Sequence, residues 1–312
     1  MSTTRVFRYS HTIGFYSQIG RGFNNPVDVA LGHDDVLYVL NRAGSDTAAR
    51  MPYKRVTVCT VAEDYRGDFC SGGTGDGQIM WPASIALDQD ENIYISDEAL
   101  HRISIFDKQG KFLHKWGIQG KREGEFDRPA GITFDADDHL LVVDGLNHRV
   151  QRYTKDGTFL EQWGSAGHGA GEFNMPWGIT TDPQGKVYVA DWRNNRIQKF
   201  DADGTYLASW SAAGQGNGAL HRPSGVAVAP EGTIYVADWG NERVQVLGPD
   251  GSFLATLRGE AGLSKWAEDY LVSNQDELEE RQAANLDPEL DLLPSDARRE
   301  ESASREKLFW GP

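Results

Sequence analysis

Acidic and basic side chains recur at a fixed spacing in this chain. Four aspartates are each followed five residues later by an arginine, and successive pairs lie 47 residues apart. A carboxylate beside a guanidinium is a combination that catalytic sites use, but catalysis needs a singular arrangement and this one is repeated. We therefore interpret the pairs as structural, with charge-assisted hydrogen bonds that hold a loop in place. The pairs are Asp97 and Arg102, Asp144 and Arg149, Asp191 and Arg196, and Asp238 and Arg243.

Three histidines, His101, His148 and His168, are the candidates for metal chemistry, because imidazole is a common zinc ligand. His101 and His148 each stand directly before a repeat arginine, and His168 lies in a glycine-rich stretch. Two of the three thus belong to the repeat rather than to a special site. We predict no cofactor and no metal, and keep a divalent ion held by these histidines as the alternative.

Several side chains at equivalent places differ from one repeat unit to the next. Trp192 and Trp239 directly follow the repeat aspartate, and Trp177 follows a proline that opens a unit. Tryptophans gathered on one surface mark interaction sites. Asp28, two residues after such a proline, either polarises a ligand or hydrogen-bonds the backbone. The predicted contacts to a ligand or partner are Trp177, Trp192, Trp239, Asp28, Arg42 and Arg193.

The repeat unit itself predicts the elements that position these residues. Each unit opens with an apolar residue, two variable residues and a proline, and continues with alternating strand patterns separated by polar and glycine turns. Period-2 alternation with a turn every 8–12 residues predicts four antiparallel strands. A four-stranded unit that repeats every 40–50 residues is typical of a β-propeller blade.

These motifs, of which Asn147-His148-Arg149-Val150 is the clearest, resemble the NHL-repeat family of β-propellers, above all its bacterial-type members, over residues 5–258. The resemblance to peptide-amidating lyases within that family is distant. In those lyases the metal-binding histidines come directly after the blade-opening proline. Their zinc arrangement is not carried over here, because those positions are Val27, Ala83, Ala130, Trp177 and Ser224.

The fold class that follows is an all-β, six-bladed propeller with one largely helical acidic insertion. Residues 5–20 match the outer strands of a closing blade, and the final Phe309-Trp-Gly-Pro312 repeats the blade-opening motif, so we expect the sixth blade to be incomplete. We expect a truncated chain, and the alternative is an open ring whose gap a partner fills. The predicted domains are the propeller at 1–259, with blades at 21–70, 71–116, 117–163, 164–210 and 211–258, the insertion or lid at 260–308, and the start of blade six at 309–312.

Charge and hydropathy narrow the classes of partner. The net charge of −15 argues against nucleic acid, because phosphate binding needs a basic face. Residues 260–308 hold fourteen acidic and six basic residues, a net charge of −8. No apolar run reaches the roughly 18 residues that a membrane span needs. We expect a cytoplasmic protein, since the first residues lack an apolar signal segment.

The predicted function is non-catalytic recognition. The family geometry implies that the two insertions, at 41–55 and 259–308, share one face, and insertions on one face indicate a binding surface. A protein, a peptide or a small ligand would bind there. The alternative is a lyase or hydrolase with a site in the channel, with or without a metal, and the third candidate is RNA binding. The sequence favours a binding protein over an enzyme and leaves the oligomeric state open.

Overall fold

Five four-stranded antiparallel sheets follow one another along the chain in the computed structural model. The structure describes residues 10–43, 53–211, 216–257 and 262–283. Within each sheet every strand pairs with the next strand in sequence. The prediction of an all-β propeller with four-stranded antiparallel blades is confirmed for these residues.

The strands of the five blades follow the order that the repeat unit predicts. The first blade consists of β1 Pro26–Leu31, β2 Val36–Asn41, β3 Arg55–Thr60 and β4 Tyr65–Phe69. After the short parallel pair β5 Ser71–Gly72 and β6 Gln78–Ile79, the second blade consists of β7 Pro82–Leu87, β8 Ile93–Asp97, β9 Arg102–Phe106 and β10 Phe112–Trp116. The third blade consists of β11 Pro129–Phe134, β12 Leu140–Asp144, β13 Arg149–Tyr153 and β14 Phe159–Trp163.

The last two blades continue in the same register. Between the third and fourth blades lies a second short parallel pair, β15 Ser165–Ala166 and β16 Glu172–Phe173. The fourth blade consists of β17 Pro176–Thr181, β18 Val187–Asp191, β19 Arg196–Phe200 and β20 Tyr206–Trp210. The fifth blade consists of β21 Pro223–Val228, β22 Ile234–Asp238, β23 Arg243–Leu247 and β24 Phe253–Leu257.

The first strands of neighbouring blades lie against one another, β1 against β7, β7 against β11, β11 against β17 and β17 against β21. They are therefore the innermost strands. The fourth strands lie at the outer edge, and each from the second blade onward exposes one leucine. These residues are Leu113, Leu160, Leu207 and Leu254.

The hydrophobic cores lie between successive blades rather than in one centre. From the second blade onward, the apolar residue three before the opening proline is buried there, and Phe126 is an example with no exposed surface. Its ring lies 5.8 Å from that of Trp116 and 5.5 Å from that of Tyr153. The apolar-x-x-Pro motif thus joins each blade to the blade before it. The other members of this set are Ile79, Phe173 and Leu220.

A second contact between blades pairs a tryptophan with a glycine. Gly157 has a φ of +88°, and a Cβ atom on it would lie 2.5 Å from the ring of Trp116 in the preceding blade. Any side chain here would therefore collide with the indole, in addition to the cost of a left-handed backbone. The same pairing joins Trp163 to Gly204 and Trp210 to Gly251.

On the first blade the corresponding place is taken by Trp266. Glu63 stands 47 residues before Gly110, at the glycine position of the repeat. Trp266 is 2% exposed, and its ring lies 5.9 Å from Phe23 and 6.2 Å from Tyr65. Its indole N–H donates to the Glu63 carbonyl oxygen, and its backbone N–H donates to Glu63 Oε2 at 3.1 Å. Trp266, expected to belong to the acidic insertion, thus replaces the tryptophan of a preceding blade.

Two helices, Lys265–Ser273 and Gln275–Ala283, follow the fifth blade. From Ala267 onward the chain belongs to a second compact unit. Neither helix among the described residues is long and apolar enough to cross a membrane. Residues 10–22 contain one isolated bridge, from Tyr16 to Phe23. The rest of the proposed closing blade, at residues 5–9 and 309–312, lies outside the described residues, as does most of the proposed lid.

Candidate binding face

The loops between second and third strands and the segments that link blades lie at the same end of the blades. Antiparallel pairing places each opening proline opposite the repeat aspartate, or opposite Asn41 in the first blade, as Pro129 is opposite Asp144. The residue before each proline is therefore adjacent to the residue after each aspartate. We call the surface formed by these two sets of residues the loop face.

The repeat aspartates and arginines hold the loop face together. In the third blade Asp144 is fully buried, and its Oδ2 atom accepts from Arg149 Nε at 2.9 Å and Asn147 Nδ2 at 2.8 Å. Arg149 also donates to the carbonyl oxygens of Arg122 and Glu125, in the segment before the blade. The equivalent ion pairs, Asp191 with Arg196 and Asp238 with Arg243, both measure 2.8 Å. These contacts agree with a structural role.

The second blade uses the same residues differently. Asp97 accepts from the backbone N–H groups of Met80 at 2.6 Å and Trp81 at 3.1 Å. Arg102 donates to the carbonyl oxygens of Thr74 and Gln78 at 2.9 and 2.7 Å. Both side chains still fasten the segment that links the blades, although no direct ion pair joins them among the described residues.

Sequence reasoning missed a second polar set that belongs to the same network. An asparagine three residues after the aspartate and a glutamine seven residues after it both donate to the carboxylate, so the network has four members. The fixed 47-residue spacing was the signal that could have revealed them. The residues are Asn147, Asn194, Asn241, Gln151, Gln198 and Gln245.

The three candidate histidines are held apart by structural hydrogen bonds. His101 Nδ1 accepts from the backbone N–H of Arg128 at 3.2 Å, and His148 Nδ1 accepts from that of Met175 at 3.1 Å. Burial lowers the pKa of His148, which favours the neutral ring that this acceptor role needs. His168 Nδ1 instead lies 2.6 Å from Asn194 Oδ1. The structure does not bring these imidazoles together.

Across the described part of the chain, potential metal ligands come together in one place, a turn that contains Asp135, Asp137 and His139. Asp135 Oδ2 lies 3.2 Å from Arg152 Nε, and Asp135 Oδ1 accepts from two backbone N–H groups of its own turn. The carboxylate is thus occupied by protein donors. The turn joins β11 to β12, at the end of the blade opposite the loop face.

Asp28 hydrogen-bonds to the neighbouring blade. Its Oδ2 atom accepts from the Ser84 hydroxyl at 2.6 Å and the Ile85 N–H at 2.9 Å. Removal of the carboxylate from water raises its pKa in spite of these bonds. Gly131 and Gly178 are the equivalents in later blades, and a Cβ on Gly131 would lie 2.4 Å from the Trp177 carbonyl oxygen. Asp28 therefore bridges the innermost strands of two blades where later blades bring backbones into contact.

The loop face between the first two blades carries a buried, internally paired charge cluster. Arg42 Nη2 lies 3.0 Å from Glu98 Oε1, and both side chains are less than one-tenth exposed. The Arg42 guanidinium lies 4.0 Å from the centre of the Trp81 ring, and the fully buried Lys54 donates to the Arg42 carbonyl oxygen at 2.9 Å. Burial raises the pKa of Glu98 to about 7, although Arg42 and Arg128 oppose the shift. Arg42 is thus committed to an internal partner.

The loop face between the last two blades is open to solvent. Trp192 is 3% exposed, whereas Trp239 is 49% exposed, and their ring centres lie 6.4 Å apart. The guanidinium carbon atoms of Arg222 and Arg193 lie 5.0 and 5.5 Å from the centre of the Trp192 ring. Cations at these distances are attracted to the electron-rich face of the indole. Trp239 is the exposed apolar surface of this site, and Trp192 supports it.

Trp177 occupies a different environment from the other two tryptophans. It is half-buried and packs against the core between the third and fourth blades. No ring contact joins it to Trp192 or Trp239 within the described ranges. Of the six predicted binding residues, Trp192, Trp239 and Arg193 are in one cluster, while Trp177, Asp28 and Arg42 lie elsewhere.

Four-stranded blades with inter-blade cores and repeated aspartate–arginine networks define a β-propeller. A family model described as "6-bladed beta-propeller" matches residues 82–154, and the model described as "NHL repeat" matches residues 173–200 and 220–247. The chain is therefore a β-propeller whose fourth and fifth blades match the NHL repeat. The predicted resemblance is confirmed.

Known proteins similar to this chain share its repeat or its fold. Protein brain tumor of Drosophila melanogaster is 37% identical over 59 residues, which are 19% of this chain and 6% of that protein. The chain therefore matches a small part of that relative's length. A solved structure of catalytically inactive virginiamycin B lyase from Staphylococcus aureus with quinupristin is 12% identical, with a TM-score of 0.54 over 76% of this chain and 71% of that one.

A nidogen–laminin complex contains another similar fold, with 16% identity and a TM-score of 0.56 over 75% of this chain and 80% of that one. A streptogramin B lyase is 13% identical, with a TM-score of 0.53 over 77% of this chain and 85% of that one. At these identities the structural likeness shows the fold alone.

Proposed function

We propose that this protein is a recognition propeller that binds a protein or peptide segment on its loop face, with Trp239 as the exposed anchor. The observation that supports the proposal is the pair of contacting tryptophans between the last two blades, whose rings are tilted by 51° to each other. Half of the Trp239 surface is open to solvent, while the buried Trp192 holds it in place. A large aromatic side chain fixed on a rigid support loses little entropy on binding, as hot-spot residues require.

The polar groups that a channel enzyme would need have other partners. His101 and His148 accept hydrogen bonds from the backbone of the next blade, and Asp28 accepts them from Ser84 and Ile85. These bonds support a structural use of the side chains. We therefore place the function on the loop face rather than in the channel.

The first blade supports a further part of the proposal, a propeller with six blades. Val27, Val29 and Leu31 on the innermost strand β1 are 37%, 54% and 63% exposed, whereas the equivalent strand β7 is almost entirely buried. The family model matched by residues 82–154 also describes six blades. A sixth blade beside β1 would cover these apolar side chains.

The function is testable with a phage-displayed library of random peptides selected on the immobilised chain. We expect the enriched peptides to bind the Trp239→Ala variant with roughly tenfold or more lower affinity, because truncation of a hot-spot aromatic residue has an effect of this size. Fluorescence anisotropy with the enriched peptides measures the change.

The matched control is Leu207→Ala, because Leu207 is 43% exposed on the outer strand β20, away from the loop face. Its removal should leave the affinity unchanged. Failure to enrich any peptide, or equal affinities for the wild type and Trp239→Ala, contradicts the proposed function.

A further inference from the structure

Two junctions on the loop face are built from the same three positions. The first position is the residue before the opening proline of the later blade. The second is the residue after the repeat aspartate, or after Asn41, of the earlier blade. The third is the residue after the repeat aspartate of the later blade. Between the first and second blades they hold Trp81, Arg42 and Glu98. Between the fourth and fifth blades they hold Arg222, Trp192 and Trp239. In each case a guanidinium lies over an indole, at 4.0 and 5.0 Å.

The two junctions differ in the residue at the third position. In the first it is Glu98, whose carboxylate completes the site by an ion pair with Arg42 at 3.0 Å. In the second it is Trp239, which brings an exposed apolar ring instead of an anion. The second junction therefore repeats the arginine–tryptophan unit of the first, with an exposed tryptophan at the position that holds Glu98 in the first.

Arg193 adds a further positive charge at the second junction. It is exposed, and its guanidinium lies over the same Trp192 ring as that of Arg222. Among the residues that the structure describes, no carboxylate lies within ion-pair distance of Arg193. An arginine held against an aromatic face is already oriented, so less entropy is lost when it binds an anion.

We propose that the junction of the fourth and fifth blades binds an acidic protein segment, in which a carboxylate contacts Arg193 and a neighbouring apolar side chain covers Trp239. The proposal rests on the proposed function and names the chemistry of its partner. Guanidinium groups suit this ligand because their planar N–H donors match the two carboxylate oxygens.

An acidic peptide fits the whole molecule better than a nucleic acid does. The net charge of −15 repels a polyphosphate chain, whose binding requires many basic contacts. One or two carboxylates need only the local positive charge of this junction. The affinity should fall with added salt, because the guanidinium of Arg193 is exposed.

The test uses four labelled probes: a peptide of alternating Glu and Leu, its Gln–Leu and Lys–Leu counterparts, and an oligouridine RNA. Fluorescence anisotropy measures their affinity for the full chain. We expect the Glu–Leu peptide to bind best. Arg193→Gln should weaken it by roughly tenfold or more, as for the loss of a charge-assisted hydrogen bond.

The control variant is Lys108→Gln, which removes one positive charge from an exposed turn at the end of the blade opposite the loop face. It should bind the Glu–Leu peptide as the wild type does. The proposal is overturned if the Gln–Leu peptide binds equally well, if RNA binds more tightly, if no probe binds, or if Arg193→Gln has no effect.

The outcome is separable from the test of the proposed function. Library peptides that depend on Trp239 but contain no acidic residue would support peptide recognition and overturn the acidic chemistry. Absence of any peptide that depends on Trp239 would overturn both.

Discussion

Two junctions of the propeller use arginine and tryptophan in opposite ways. Between the first two blades, Arg42, Trp81 and Glu98 form a closed and buried unit. Between the last two blades, Trp239 is half exposed and Arg193 lies at the surface. The backbone positions are equivalent, so the difference comes from side chains alone. One repeat position thus decides whether a junction is closed by an ion pair or exposes an aromatic ring.

The energetic consequences of the two junctions should differ as well. Breaking a buried ion pair leaves an uncompensated charge, which is far more costly than the loss of an exposed cation. The first junction is therefore expected to affect folding stability, and the second to affect binding.

The largest expected effect is on stability. Arg42→Ala should lower the free energy of unfolding by about 3 kcal/mol, because it leaves Glu98 buried without its partner. Arg193→Ala should change it by less than about 0.5 kcal/mol, as for most surface substitutions. Urea unfolding of both variants at neutral pH measures the difference. Equal destabilisation by the two substitutions would break the comparison.

The next effect is on the pH dependence of stability. The pKa of Glu98 is raised from 4.5 to about 7 in the folded protein, chiefly by burial. The folded state therefore holds this proton more tightly than the unfolded state does. The protonated Glu98 carboxyl makes its full contribution to the free energy of unfolding below pH 4.5, and this contribution is lost as the pH rises through about 7.

The Glu98→Gln variant has no titrating group at this position, so its stability should lack this pH dependence. Between pH 4.5 and pH 8, the wild type should lose on the order of 2–3 kcal/mol of unfolding free energy relative to the variant. Urea titrations of both proteins across this range measure the change, and Arg193→Gln serves as the control with the slope of the wild type. A pH-independent difference between wild type and Glu98→Gln would contradict the prediction.

The smallest effect comes from copying the first junction into the second. Trp239→Glu places a carboxylate at the position that Glu98 has in the second blade. The new side chain should pair with the adjacent arginines and compete with an acidic ligand, so the affinity for the Glu–Leu peptide should fall by roughly tenfold, equivalent to about 1.4 kcal/mol. Anisotropy measures the loss, and Trp239→Gln distinguishes the added charge from the removed ring. Equal losses in both variants would leave no role for the carboxylate.

Much of the architecture could be predicted from the sequence, because each blade repeats the same order of strand patterns, turns and polar motifs. The 47-residue spacing of Asp144 and Asp191 defined the blades, and their burial with Arg149 and Arg196 agrees with the structural interpretation. These features depend on local strand pairing, which periodicity reports directly.

The candidate site was less predictable because it depends on contacts between blades. Arg42 was expected to contact a ligand, but its partner Glu98 lies 56 residues away along the chain and is brought near only by packing. The same reasoning failed to distinguish the buried Trp192 from the exposed Trp239, since both follow a repeat aspartate. Periodicity locates equivalent positions and does not report which neighbour covers them.

The place of Trp266 could not be predicted from the repeat, because Trp266 lies outside it. Its contact with the first blade also affects the expected order of folding. Its hydrogen bonds to Glu63 join residues 203 positions apart, whereas each blade is built from local hairpins. Closing so long a loop costs entropy before the contact is gained, so we expect the blades to form first and this contact last. The first blade is then where the folded chain should open most readily.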